Sequence, residues 1–185
     1  LLPSYAGQVD PVAEMSVAAL DAVRWLGSRT AGRMVVLGAG PDPGNVERGV
    51  AEPLSMRVAR LLLDRSGFAG RAVEVTQPGP LPSLRPGDAL LVVADGSARR
   101  GEKAPGHLDE RAFGFDDTVE AALRTADTET LRGLDARLGA ELLAAGVPAL
   151  LALGALAGSR HQVEMTYADD PFGVKYWVVR WQCAS

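Results

Sequence analysis

The strongest constraint on how this chain folds is the run Ala89-Leu90-Leu91-Val92-Val93, which holds no polar side chain. It ends abruptly in Ala94-Asp95-Gly96-Ser97-Ala98-Arg99-Arg100-Gly101-Glu102-Lys103-Ala104-Pro105-Gly106-His107-Leu108-Asp109. Five consecutive apolar residues suit a buried strand better than a helix. Polar chemistry packed just after such a strand is where open α/β sheets place their sites. The candidate pocket is therefore Asp95, Ser97, Arg99, Arg100, Glu102, Lys103, His107 and Asp109, and Arg99, Arg100 and Lys103 give it the charge to hold a small anion.

The rest of the chain fits one α/β domain over residues 1–185, with a mixed sheet flanked by helices. Asp10 and Pro11 form a helix start, and Val12, Met15, Ala19, Val23 and Leu26 follow as one apolar stripe. Met34 to Leu37 reads as a short buried strand. Leu54 to Arg65 reads as a helix with Leu54, Val58, Leu61 and Leu62 on one side, and Ala72 to Thr76 alternates like a strand. The proline-rich stretch 77–83 is a surface connector. Helices are expected over Phe115 to Ala126, Thr128 to Leu134, Asp135 to Ala145 and Pro148 to Ala157. Asp127 and Asp135 serve as caps, and Gly146 and Gly158 as stops. His161 to Tyr167 and Val174 to Trp181, joined by a turn, form a terminal antiparallel hairpin.

A net charge of −4 with both signs interspersed argues against a nucleic-acid or anionic-membrane surface. No run approaches a membrane span, and one cysteine, Cys183, excludes an internal disulfide or a multi-cysteine metal site. These features suit a reducing, cytoplasmic location.

Several shorter motifs carry chemistry of their own. Gly38-Ala39-Gly40 follows a strand, but Pro43 stands where a dinucleotide fingerprint needs its third glycine, so a tight loop is the better reading. The only histidines are His107 and His161, with no spacing that would pair either with a second ligand. His161 opens a strand and is expected to cap or pack there, while His107, in the polar loop, is the better functional candidate. Ser97 lacks the flanking glycine of a nucleophile elbow, so Ser97 and Asp95 are expected to bond the turn's own backbone. Trp177 and Trp181 share a strand face with Val179, which suits burial or an oligomer interface.

From Leu90 onward the chain resembles the superfamily of the catalytic subunit of class III extradiol ring-cleavage dioxygenases and its Memo-like relatives. More narrowly, it is similar to the actinobacterial proteins described as class III extradiol dioxygenase-like. The residues that carry this are Asp95-Gly96-Ser97-Ala98-Arg99-Arg100, Glu102-Lys103-Ala104-Pro105-Gly106, Asp109-Glu110-Arg111-Ala112, Phe115-Asp116 and Asp170-Pro171-Phe172-Gly173-Val174. Leu1 to Gly7 looks like the continuation of the family's His-Pro-Pro segment, so a few native residues are expected upstream. The resemblance implies a mixed-sheet α/β fold and, in active members, Fe(II) held by two histidines and a glutamate, with a further motif histidine as acid/base. Here Ala98 stands in the place of that motif histidine, and Gly38, Ala39 and Gly40 stand where relatives carry a metal-ligating one.

The expectation is a dioxygenase-like domain, non-catalytic or repurposed, that binds an anionic or aromatic small molecule or a protein partner near Asp95–Asp109 and needs no cofactor. Two alternatives stand beside it. One is an Fe(II)-dependent ring-cleavage enzyme completed by upstream residues or by His107, Asp95 or Glu52. The other is an oligomerising scaffold, a homo-oligomer built through Trp177 and Trp181.

Overall fold

The computed structural model describes residues 12–156, 158 and 161–183. It is an α/β arrangement around the strand β1 (Arg33–Ala39), flanked in parallel by β2 (Arg71–Gln77) and β3 (Ala89–Val93) in the order β2-β1-β3. Met34 to Leu37 are wholly buried because β1 is apolar toward both faces, as a strand between two helical layers requires. On one face, Met34 and Val36 pack with Val23 of α1 (Ala13–Gly27) and with Met56, Ala59, Leu62 and Leu63 of α2 (Leu54–Ser66). A single helical turn at Pro43–Glu47, capped by Asp42, precedes α2. On the other face, Leu37 meets Ala149 and Ala152 of the helix Val147–Leu156. That helix carries no charge and is apolar all round, which fits its place between the sheet and further helices.

Between β3 and this helix the chain forms α3 (Arg111–Thr125), α4 (Thr128–Arg132) and α5 (Ala136–Glu141), so Val147–Leu156 is α6. Asp127 caps α4 by accepting from the N–H groups of Glu129 and Thr130, and Asp135 caps α5 in the same way, as their sequence positions lead one to expect. Gly146 ends no helix; it precedes α6 and lies against Ala94 and Asp95 so closely that a Cβ would stand 2.4 Å from the Asp95 nitrogen. A hairpin closes the described chain: β4 (His161–Asp169) and β5 (Tyr176–Cys183) pair antiparallel, with one extra β4 residue between Met165 and Tyr167. Its inner side, Met165, Trp177, Val179 and Trp181, packs on the core of α3 to α6.

Three expectations change. The strands form two hydrogen-bonded sheets, three parallel and two antiparallel, instead of one mixed sheet. Among the described residues, the backbones of the two are stitched where Gly96 donates to the Lys175 carbonyl (2.8 Å) and Lys175 donates to that of Ser97 (2.9 Å). Beyond that stitch, Trp177 and Trp181 anchor β5 on α3 through their indole N–H groups, so β5 forms no ladder with β3. Among the described residues β3 is therefore an edge strand; Leu90 to Val93 are half-buried, and within the strand only Ala89 is buried. Finally, the inward face of α2 is Met56, Ala59, Leu62 and Leu63, whereas Leu54 is 59% exposed, because Ser55 and Met56 are the first-turn residues that meet β1. The expected helix start at Asp10 and Pro11 lies outside the described residues.

Gly38, near the end of β1, gives the first test. A Cβ there would stand 2.5 Å from the Ser55 hydroxyl and 2.9 Å from the Met56 methyl. Gly38→Ala should lower stability by roughly 1–3 kcal/mol through overpacking, read as the midpoint of urea unfolding. An unchanged midpoint would show that α2 yields freely.

Candidate functional site

The loop after β3 is built inward. Ser97 is fully buried and donates its backbone N–H (2.9 Å) and its hydroxyl (2.5 Å) to the two carboxylate oxygens of Asp116 on α3. Arg100 reaches the same carboxylate at 3.3 Å, bonds Asp170 of the hairpin turn at 2.6 Å, and stacks its guanidinium 4.5 Å over the Phe113 ring. Arg99 donates to the Gly106 carbonyl, and the loop backbone closes on itself through Gly106 N–H to Ala98 and Asp109 N–H to Arg99. Asp95 accepts the Gly146 N–H at 2.8 Å. Asp109 accepts the backbone and guanidinium N–H groups of Arg111 at the head of α3. Ser97 therefore bonds the distant α3 instead of its own turn, while Asp95 bonds both its own backbone N–H and the start of α6.

Of the eight sequence candidates, Asp95, Ser97, Arg99, Arg100 and Asp109 are drawn into this lattice. Glu102, Lys103 and His107 lie exposed on its outside, with His107 Nδ1 3.4 Å from the Glu102 carbonyl oxygen. The loop is also where left-handed backbone gathers. His107 (φ 56°), Leu143 (φ 56°) and Phe172 (φ 62°) lie in it or border it, and only glycine occupies that region without strain. Gly96 is required by close approach, since a Cβ would stand 2.6 Å from the Trp177 ring and 2.8 Å from Asp116.

The electrostatics follow from burial. Desolvation pushes the Asp95 carboxyl up to about 6, with the bond from Gly146 opposing it. Asp116 is raised for the same reason, against the pull of Ser97 and Arg100. The hydrogen bonds from Arg111 hold Asp109 down at about 2. Glu120 on α3 also falls to about 2: burial works against its charge, but bonds from Lys175, Arg124 and Trp177 outweigh it.

The donor set for Fe(II) can be tested directly. Ala98 and the stretch Gly38-Ala39-Gly40 offer no side-chain ligand atoms, and Gly38 has no room for a side chain. Glu52 is held by Arg57 and Arg60, Asp95 by Gly146, and His107 by its own loop, so the three share no partner. His161 donates from Nε2 to the Gly158 carbonyl (2.6 Å) and lies 5.2 Å from the Trp181 ring. Among the described residues no group of three His, Cys, Asp or Glu side chains converges on a metal-sized space. These residues do not fit the iron that the resemblance implies.

A cavity lies elsewhere, along the free edge of β3. It measures about 570 Å³ and is bounded by α1, α6 and β5, with Leu90, Val92, Leu153, Trp25, Trp177 and Trp181 among its walls. None of the eight candidate residues lines it. Trp25, Trp177 and Trp181 are all the tryptophans of the chain. Their spacing in the sequence points to core or contact residues. It could not place Trp25 on α1 opposite the two of β5, because that encounter is set by tertiary packing. Trp177 and Trp181 are half-buried, and their N–H groups bond Glu120 (3.1 Å) and the Leu123 carbonyl (2.9 Å).

No family model, curated protein or solved structure matches the chain. No helix among the described residues is long and apolar enough to cross a membrane.

Asp95 supplies a pH test. Its folded-state pKa of about 6 exceeds the unfolded value of 3.8, so its contribution is fully present below pH 4 and is lost as pH rises through 6. Asp95→Asn keeps an oxygen for Gly146 and cannot ionise. The variant should gain on the natural protein between pH 4 and 7, by at most on the order of 3 kcal/mol. A stability difference that is flat with pH would mean Asp95 titrates normally.

Proposed function

We propose that this chain is a domain like the catalytic subunit of class III extradiol dioxygenases, repurposed to hold a small, largely apolar molecule in the cleft between the free edge of β3 and the terminal hairpin. The observation that carries this reading is the cleft itself: its volume of about 570 Å³ falls in the range of small-molecule sites, and its walls are rich in leucine, valine and tryptophan. Family likeness rests on the motif residues from Asp95 to Asp116 and at Asp170–Val174, and the parallel three-stranded sheet with flanking helices agrees with it at the level of class. The iron-dependent alternative draws no support from the donor set. The scaffold alternative rests on the same half-buried Trp177 and Trp181, whose indole N–H groups are engaged on α3.

Binding should be visible in the protein's own fluorescence, because all three indoles border the cleft. Titration with the neutral dye N-phenyl-1-naphthylamine should give saturable, one-to-one energy transfer from tryptophan, with Kd on the order of micromolar. Ala22, on the α1 wall, offers the control: Ala22→Phe should fill the space and weaken the dye about tenfold, or about 1.4 kcal/mol. Absence of saturable binding would overturn the reading. So would oxygen uptake with catechol and added Fe(II), which would restore the enzyme.

A further inference from the structure

We infer that the cleft's natural occupant is an anionic amphiphile, a carboxylate on an apolar body, whose charged end is received by Arg180 and Arg29. The inference rests on the cleft being a binding site and adds the chemical class of its ligand. Both arginines line the cavity, and both pack against the same indole: the Arg29 guanidinium lies 4.6 Å and that of Arg180 5.8 Å from the Trp25 ring. Two cations held beside one ring repel each other, and an anion at that end of the cleft offsets the repulsion.

Among the described residues Arg29 meets no carboxylate, and Arg180 meets only one, at the outer edge of ion-pair distance. Arg29 bonds the Trp25 carbonyl (3.5 Å) and the Ser28 hydroxyl (3.3 Å), both neutral. Arg180 reaches Glu164 at 3.4 Å, and that glutamate side chain is 63% exposed. Other arginines in the fold show the contrast: Arg33 is paired with Asp88, Arg100 with Asp116 and Asp170, and Arg111 with Asp109 and Glu141. Asp88 also borders the cleft, but it is engaged by Arg33 and by the Arg85 N–H.

A further observation is independent of charge counting. The Arg180 Nε is buried and has no hydrogen-bond partner, and the same holds for Nδ1 of His161, another lining residue. Buried polar atoms are nearly always satisfied, so the orphaned Arg180 Nε–H beside an apolar cavity points to a ligand with an accepting atom at that end. An apolar body against Leu90, Val92 and Leu153 with a carboxylate at Arg180 matches both the walls and that donor. This cationic end also stands out in a chain whose net charge is −4.

Decanoate and decanol separate the charge from the body. Each should be titrated by displacement of N-phenyl-1-naphthylamine from the full chain, at low and high ionic strength. Decanoate should bind at least about tenfold more tightly than decanol, and salt should weaken decanoate alone. Arg180→Gln should remove that preference while leaving decanol unchanged, and Arg29→Gln should reduce it. Should Arg180→Gln fail to fold, Arg29→Gln and the salt dependence decide the matter. Equal affinity for the two probes would overturn this inference and leave the cleft as a neutral apolar site. Failure of both to displace a bound dye would also overturn it, and failure of the dye itself to bind would overturn the cleft reading beneath it.

Discussion

The carboxylate of Asp116 holds this molecule together at the point where its two sheets meet. It is fully buried, and it accepts from the Ser97 backbone, the Ser97 hydroxyl and Arg100. Through Arg100 it is coupled to Asp170 in the hairpin turn. One group thus fixes the loop after β3, helix α3 and the hairpin relative to one another. Removing one partner would leave a buried charge without compensation, the costly form of losing an ion pair.

That lattice also explains the cleft. Backbone hydrogen bonds join the loop to the start of β5 at Gly96, Ser97 and Lys175. Past them, the indoles of Trp177 and Trp181 draw β5 toward α3, and among the described residues β3 is left with an unpaired edge beside an apolar space. A free edge is usually a liability for a sheet. Here α1, α6 and β5 wall it in, so a strand edge becomes the side of a cavity. Five of the eight polar side chains expected to do chemistry beyond the strand end are engaged in architecture, and a cavity has opened along the strand.

Much of the fold was legible in the residues. The apolar runs at Met34–Leu37 and Ala89–Val93, the caps Asp127 and Asp135, and the terminal hairpin each follow from local rules of periodicity and hydrogen bonding. The division into two sheets was not legible, because strand pairing depends on where Trp177 and Trp181 find hydrogen-bond acceptors on a distant helix. The candidate site was legible only in part. Sequence order brings Asp95, Ser97, Arg99, Arg100 and Asp109 into one loop, but it is silent on Asp116 and Gly146, the partners that consume two of those side chains. Arg29 and Arg180 leave no mark in the sequence for a related reason. Each is an ordinary arginine in its own surroundings, and only the approach of α1 to β5 places both on Trp25.

The central claim is that small molecules enter between β3 and the hairpin and not at the polar loop. The most direct measurement is a ¹H–¹⁵N correlation spectrum of the full chain titrated with decanoate, following the three indole N–H signals beside the backbone amides of Glu102, Lys103 and His107. The account predicts that the indole signals move together and saturate, while the loop amides stay in place. Shifts confined to the loop, with the indoles unmoved, would contradict it and return the site to the end of β3.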